Sequence, residues 1–89
     1  MGDMFVIGKN FMTPEQIKEF RNLVGKFYEA GDLDRGDPPL EFEDYKIEAG
    51  ETYINEDNKY FYGEICSEHY PLMVDFMKRH KLTTKYSVS

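Results

Sequence analysis

Few side chains in this sequence are suited to covalent chemistry. There are two histidines, His69 and His80, one cysteine, Cys66, and three serines, Ser67, Ser87 and Ser89. Nucleophilic catalysis needs a nucleophile, a base and a group that orients the base. Cys66 and His69 stand three apart, close enough to be neighbours at a helix start. Their place between a strand pattern and a helix pattern favours a structural, inert cysteine. As a metal set, Cys66, His69 and His80 lack the two closely spaced pairs of a zinc site. His80 is better read as a cation at a helix C-terminus.

Carboxylates are plentiful. Asp32-Leu33-Asp34-Arg35-Gly36-Asp37, with Glu43 eleven residues after Asp32, approaches the calcium-loop pattern D-x-[DN]-x-[DN]-G-x5-E. The match fails at its hinge: glycine occupies the fifth position and aspartate the sixth, and Pro38-Pro39 follow. Arg35-Gly36-Asp37 also spells an adhesion tripeptide, but three residues carry little specificity. Glu41 and Glu43 have the alternate spacing of an acid–base pair on one strand face. Nothing in so short a chain predicts a deep, dry pocket to separate their pKa values. No cofactor or metal is expected, and no enzymatic activity.

The acids are unevenly placed. The formal net charge is −6. Glu29 to Asp57 holds eleven acids against two bases, a net −9, and the remaining residues sum to +3. Such asymmetry bears on partners and association rates rather than on fold. Alternate carboxylates on a strand stand about 6.6–6.8 Å apart, near twice the ~3.4 Å phosphate step of one DNA strand. An array of Asp32, Asp34, Asp37, Glu41, Glu43, Asp44 and Glu48, extended by Glu51, Glu56 and Asp57, would attract a basic groove built for nucleic acid. The alternative is a solvated acidic surface that keeps molecules apart. The aromatic run Tyr60-Phe61-Tyr62 has the look of a base-stacking platform, but a nucleic-acid binder should be basic around it. Direct nucleic-acid binding is therefore not expected.

These groups need positioning elements. Met4-Phe5-Val6-Ile7 reads as a strand ended by Gly8. Thr13, Pro14 and Gln16 spell an N-cap, a first-turn proline and a capping box. Ile17, Phe20, Val24, Phe27 and Tyr28, widened by Leu23, form the apolar stripe of a helix that Gly31 terminates. A loop from Asp32 to Pro39 leads to a strand over about 40–48, whose apolar phase slips near Glu43-Asp44 as a β-bulge would cause. Ala49-Gly50 suits a turn, Thr52–Ile54 a strand, Asn55–Asn58 a turn and Lys59–Ile65 a third strand. A second helix is expected from Ser67 to His80, with Ser67 as cap, Pro71 in its first turn and Leu72, Met73, Phe76 and Met77 inward. Thr83–Val88 reads as an edge strand.

The fold class is thus α+β, two helices packed on one face of a small antiparallel sheet in the order β-α-β-β-β-α-β. A ferredoxin-like βαββαβ is the alternative if Thr52–Ile65 is one long strand. Eighty-nine residues make one domain. No apolar run approaches the roughly 20 residues of a membrane span. The first residues lack the basic region of a signal peptide, and Val6 stands where a myristoylation motif wants Ser or Thr. A lone cysteine permits no internal disulfide, so a cytoplasmic location is the default.

In length, acidity and aromatic content the chain resembles phage-encoded anti-restriction and anti-CRISPR proteins, a likeness of composition carried by no motif. The functional expectation is an inhibitor or regulator that occupies a basic, nucleic-acid-binding surface on another protein, such as a nuclease. The alternatives are an oligomeric module, self-associating as a homodimer or larger through its aromatic and edge strands, and a small-ligand binder.

Overall fold

The computed structural model describes residues 3–31, 35–81 and 85–87. Alternating apolar residues set the main sheet. Strand β1 (Asp3–Gly8) turns Phe5 and Ile7 inward, and a short 3-10 turn (Lys9–Phe11) leads to helix α1 (Pro14–Glu29). The capping box forms as its sequence dictates. The Thr13 hydroxyl accepts from the Gln16 N–H at 3.1 Å, and the Gln16 side chain accepts from the Thr13 N–H at 2.9 Å. Two N–H groups that the first helical turn leaves orphaned are satisfied in this way. Ala30 caps the other end and Gly31 follows at φ +80°, the left-handed conformation that a side chain resists.

The segment read as one bulged strand is two. β2 (Leu40–Phe42) and β3 (Tyr45–Ile47) pair antiparallel, with Leu40 opposite Ile47 and Phe42 opposite Tyr45. A bulge and a two-residue turn shift the apolar phase identically, so the pattern alone does not separate them. Glu43 takes φ +54°, as the first central residue of a primed hairpin turn must. Glu43 therefore leaves the strand, and the expected alternation of Glu41 with Glu43 along one strand face is not formed.

Strand β4 (Tyr53–Glu56), a tight turn and strand β5 (Tyr60–Ile65) make a second hairpin, so Thr52–Ile65 is not one long strand. Helix α2 (Tyr70–Arg79) starts three residues later than expected. Ser67 to His69 form a turn in which the N–H groups of His69 and Tyr70 both bond the Cys66 carbonyl. Pro71 has no N–H to return to Ser67, so the regular ladder begins only beyond it. His69, not Ser67, occupies the cap position, and the Ser67 hydroxyl points to the Glu68 carboxylate instead. The last strand, β6 (Lys85–Ser87), pairs antiparallel with β1. Thr83, Thr84 and Val88, the remainder of the expected edge strand, lie outside the described residues.

The main sheet is antiparallel in the order β4-β5-β1-β6. With the β2–β3 hairpin set aside as an insertion, the chain runs β1-α1-β4-β5-α2-β6 through it. That connectivity and strand order are those of the ferredoxin-like split βαβ arrangement. Both helices cover one face. Phe20, Leu23 and Phe27 of α1 and Met73, Phe76 and Met77 of α2 share a core with Phe5, Ile7, Ile54, Phe61 and Ile65 of the sheet and with Tyr45 and Ile47 of the inserted hairpin. Each such side chain, fully buried, contributes about 1.5–3 kcal/mol of transfer free energy. The α+β class is therefore as expected.

Candidate functional site

Three places in the fold gather polar or exposed side chains that a function can use. The first is the junction where β5 meets α2. His69 is wholly buried there and stacks flat on Phe27, centroids 4.5 Å apart and planes 10° from parallel. Its Nε2 lies 2.6 Å from the Glu48 carbonyl oxygen and its Nδ1 2.6 Å from the Thr52 hydroxyl. A carbonyl only accepts, so these partners assign the proton to Nε2. The Thr52 oxygen then donates to Nδ1 and accepts from the Cys66 N–H at 3.3 Å. The polar chain from the Cys66 amide through Thr52 and His69 to the Glu48 carbonyl is closed at both ends. Neither ring nitrogen is left to act as a base towards Cys66 or to bind a metal. The arrangement ties together three segments, and Gly50 makes room for it: a Cβ there would come within 2.5 Å of Cys66 Sγ.

Among the described residues no group of three or more His, Cys, Asp and Glu side chains is arranged to hold a metal ion. His80 sits at the C-cap of α2, its Nδ1 3.1 Å from the Glu19 carboxylate and its ring against Phe76. That is the helix-end placement its sequence context predicts.

The second place is the acidic middle of the chain, which falls into separate groups. Glu41, Glu43, Asp44 and Glu48 stand on or beside the inserted hairpin, with Lys46 and Arg79 among them. Arg79 of α2 reaches Glu43 at 3.6 Å and Asp44 at 3.5 Å and lies over the Tyr45 ring, while Lys46 is 4.0 Å from Glu48. Glu56 and Asp57 stand at the β4–β5 turn. Glu56 accepts a bidentate Arg21 at 3.0 and 2.9 Å and Lys9 at 2.5 Å. Hydrogen bonds from Arg21 and then Lys9 hold its carboxyl down at about 2. Asp57 accepts the N–H groups of Lys59 and Tyr60, which shape the turn and keep its pKa below the usual carboxylate range. Asp37 pairs with Arg35 at 3.1 Å in the loop before β2. Glu41 and Glu51 are exposed and make no ion pair among the described residues, and Asp32 and Asp34 lie outside them. The structure thus brings four of the ten candidates together, gives Glu56 and Asp57 local structural work, and intersperses cations from both ends of the chain.

The third place is one that sequence reasoning touched only at Tyr60 and Tyr62. The face of the sheet away from the helices carries Met4 and Val6 on β1, Tyr53 on β4, and Tyr60 and Tyr62 on β5, each 39–58 % exposed. Val6 and Asn55 flank Tyr62 in register, and Met4 and Tyr53 flank Glu64. Exposed apolar and aromatic side chains thus share one face of three adjacent strands, with Glu64 and Asn55 among them, and exposed apolar surface of this kind marks an interaction site. The signal was present as alternation in Met4–Ile7 and Tyr60–Ile65. With both helices expected on one side, what was missing was the strand order that sets β4, β5 and β1 next to one another.

Comparison of the chain with models of protein families, with curated proteins and with solved structures gave no match.

Proposed function

We propose that this protein is a non-catalytic interaction module that docks a protein partner on its open sheet face. The observation that carries the reading is the exposed set Met4, Val6, Tyr53, Tyr60 and Tyr62 on contiguous strands. Tyrosine supplies large contact area with only two side-chain torsions to fix, so it suits a recognition surface. The closed hydrogen-bond chain through His69 supports a binding rather than a catalytic role, because it engages the base nearest the only thiol.

A second reading rests on the inserted hairpin. Among the described residues Glu43 and Asp44 there pair only with Arg79, Glu48 pairs only with Lys46 and Glu41 makes no ion pair, and the contacts are exposed and 3.5–4.0 Å long. Such pairs are weak and exchange readily, so a basic surface on a nucleic-acid-binding protein would compete for the carboxylates. In this reading the protein is an inhibitor of such a partner.

One experiment separates the two. A photoreactive amino acid is placed in living cells at position 62 on the sheet face, at position 41 on the hairpin, or at exposed position 18 on α1. The sheet-face reading predicts a covalent adduct from position 62 and none from 41 or 18. An adduct from position 41 alone transfers the function to the hairpin, and adducts from neither position remove both readings.

A further inference from the structure

We infer that the occupant of the open sheet face is a second copy of this chain, packed face to face in a two-fold dimer. The inference rests on the sheet-face reading above and names its partner. Three observations favour a like copy. The first is area. Three tyrosines of about 150–250 Å² each, with Met4 and Val6 beside them and all five exposed by 39–58 %, present on the order of 400 Å². A standard interface takes about 800 Å² per partner, somewhat over half of it apolar. The patch thus supplies nearly the whole apolar share of a standard interface, and a self-complementary surface needs only one such patch.

The second is charge. Glu64 is the only charged side chain that β1, β4 and β5 place on this face, and it is already engaged within the chain. A single-stranded nucleic acid stacking on the tyrosines would meet a protein of formal charge −6. A second copy meets a face on which these strands carry the single charge of Glu64, with Lys85 of β6 in register with Val6 at its border. The hairpin packs into the core on the helix side and its Glu43 and Asp44 meet Arg79 of α2, so these carboxylates are not among the side chains of the open face.

The third is the sheet edge. On β4 the Tyr28 hydroxyl accepts from the Ile54 N–H at 2.8 Å and donates to the Ile54 carbonyl at 3.1 Å. The outward backbone groups of Ile54 are taken there, which disfavours strand addition at the β4 edge of the β4-β5-β1-β6 sheet. Two sheets packed face to face sit about 10 Å apart with their side chains interleaved.

Sedimentation equilibrium of the full chain, from micromolar to millimolar concentration, tests this. The expected result is a reversible shift from one chain mass to two. Tyr62→Lys places one new charge from each copy in the contact and should raise the dissociation constant about 30-fold or more, with the melting temperature of the monomer retained. Tyr53→Lys is the second variant should Tyr62→Lys unfold. A monomer throughout the range overturns the inference, as does a dimer indifferent to both substitutions. Titration with fluorescein-labelled oligothymidylate and oligouridylate completes the test: binding by a monomeric protein replaces the second copy with a nucleic acid. A monomer that still gives a heterologous protein adduct from position 62 refutes the dimer and leaves the interaction module standing.

Discussion

Phe61 and Tyr62 are adjacent on β5 and differ by one hydroxyl, yet they meet opposite surroundings. Phe61 is 2 % exposed, its ring 4.6 Å from that of Phe20 and capped from outside by the Lys9 ammonium at 4.9 Å. Tyr62 is 41 % exposed between Val6 and Asn55. The same alternation separates Phe5 and Ile7 from Met4 and Val6. One side of the sheet is closed by two helices and a hairpin and determines whether the chain folds. The other is left largely apolar without cover, and it is the side on which we propose a partner docks. Aromatic residues serve both sides, and only the position of the helices distinguishes their roles.

That contrast can be broken by substitution. The largest effect is expected at Phe61→Ala, which removes a ring from the closed side and should cost about 3–5 kcal/mol by thermal or denaturant unfolding. His69→Leu comes next, at about 2–4 kcal/mol, because it keeps the volume but leaves the Thr52 hydroxyl and the Glu48 carbonyl buried without their partner. If His69→Leu were neutral, the closed polar chain would not be holding the junction together. Glu56→Gln should cost at most about 1 kcal/mol at neutral pH, since the ion pairs it breaks are largely exposed. Its pH dependence is the sharper observation. The folded carboxyl is held at about 2, below its ordinary 4.5. The stabilisation is therefore complete above pH 4.5 and is lost as pH falls towards 2. The melting temperatures of wild type and Glu56→Gln should converge over that interval. The smallest effect is expected at Tyr62→Ala, within about 0.5 kcal/mol for the isolated chain. A loss as large as that of Phe61→Ala would show that the open face is part of the folding core.

Much of this architecture is legible in the sequence. Helix α1 announces itself through Thr13, Pro14, Gln16 and Gly31, each acting within a few residues of its own position. The alternating strands β1 and β5 are equally local. The sequence is silent where two local solutions produce one pattern. Leu40, Phe42, Tyr45 and Ile47 suit a bulge and a hairpin alike, and Glu43-Asp44 lacks the glycine or asparagine that would have identified the turn. The roles of His69 and Glu56 were hidden for another reason. His69 meets partners 17 and 21 residues away, and Glu56 meets Lys9 and Arg21 at 47 and 35. Periodicity carries no information about such separations. The candidate acids were visible as composition, but their grouping depends on where Arg79, Lys9 and Arg21 arrive in space.

The hydroxyl of Tyr28 has a consequence for how the protein behaves at high concentration. An unsealed strand margin invites end-on growth, in which every added molecule exposes a fresh template for the next. A phenol bound to both Ile54 backbone groups stops that growth on the β4 side. Tyr28→Phe would remove the stopper while keeping the ring, so a preparation of that variant should turn cloudy and seed fibres on storage where the parent protein stays clear.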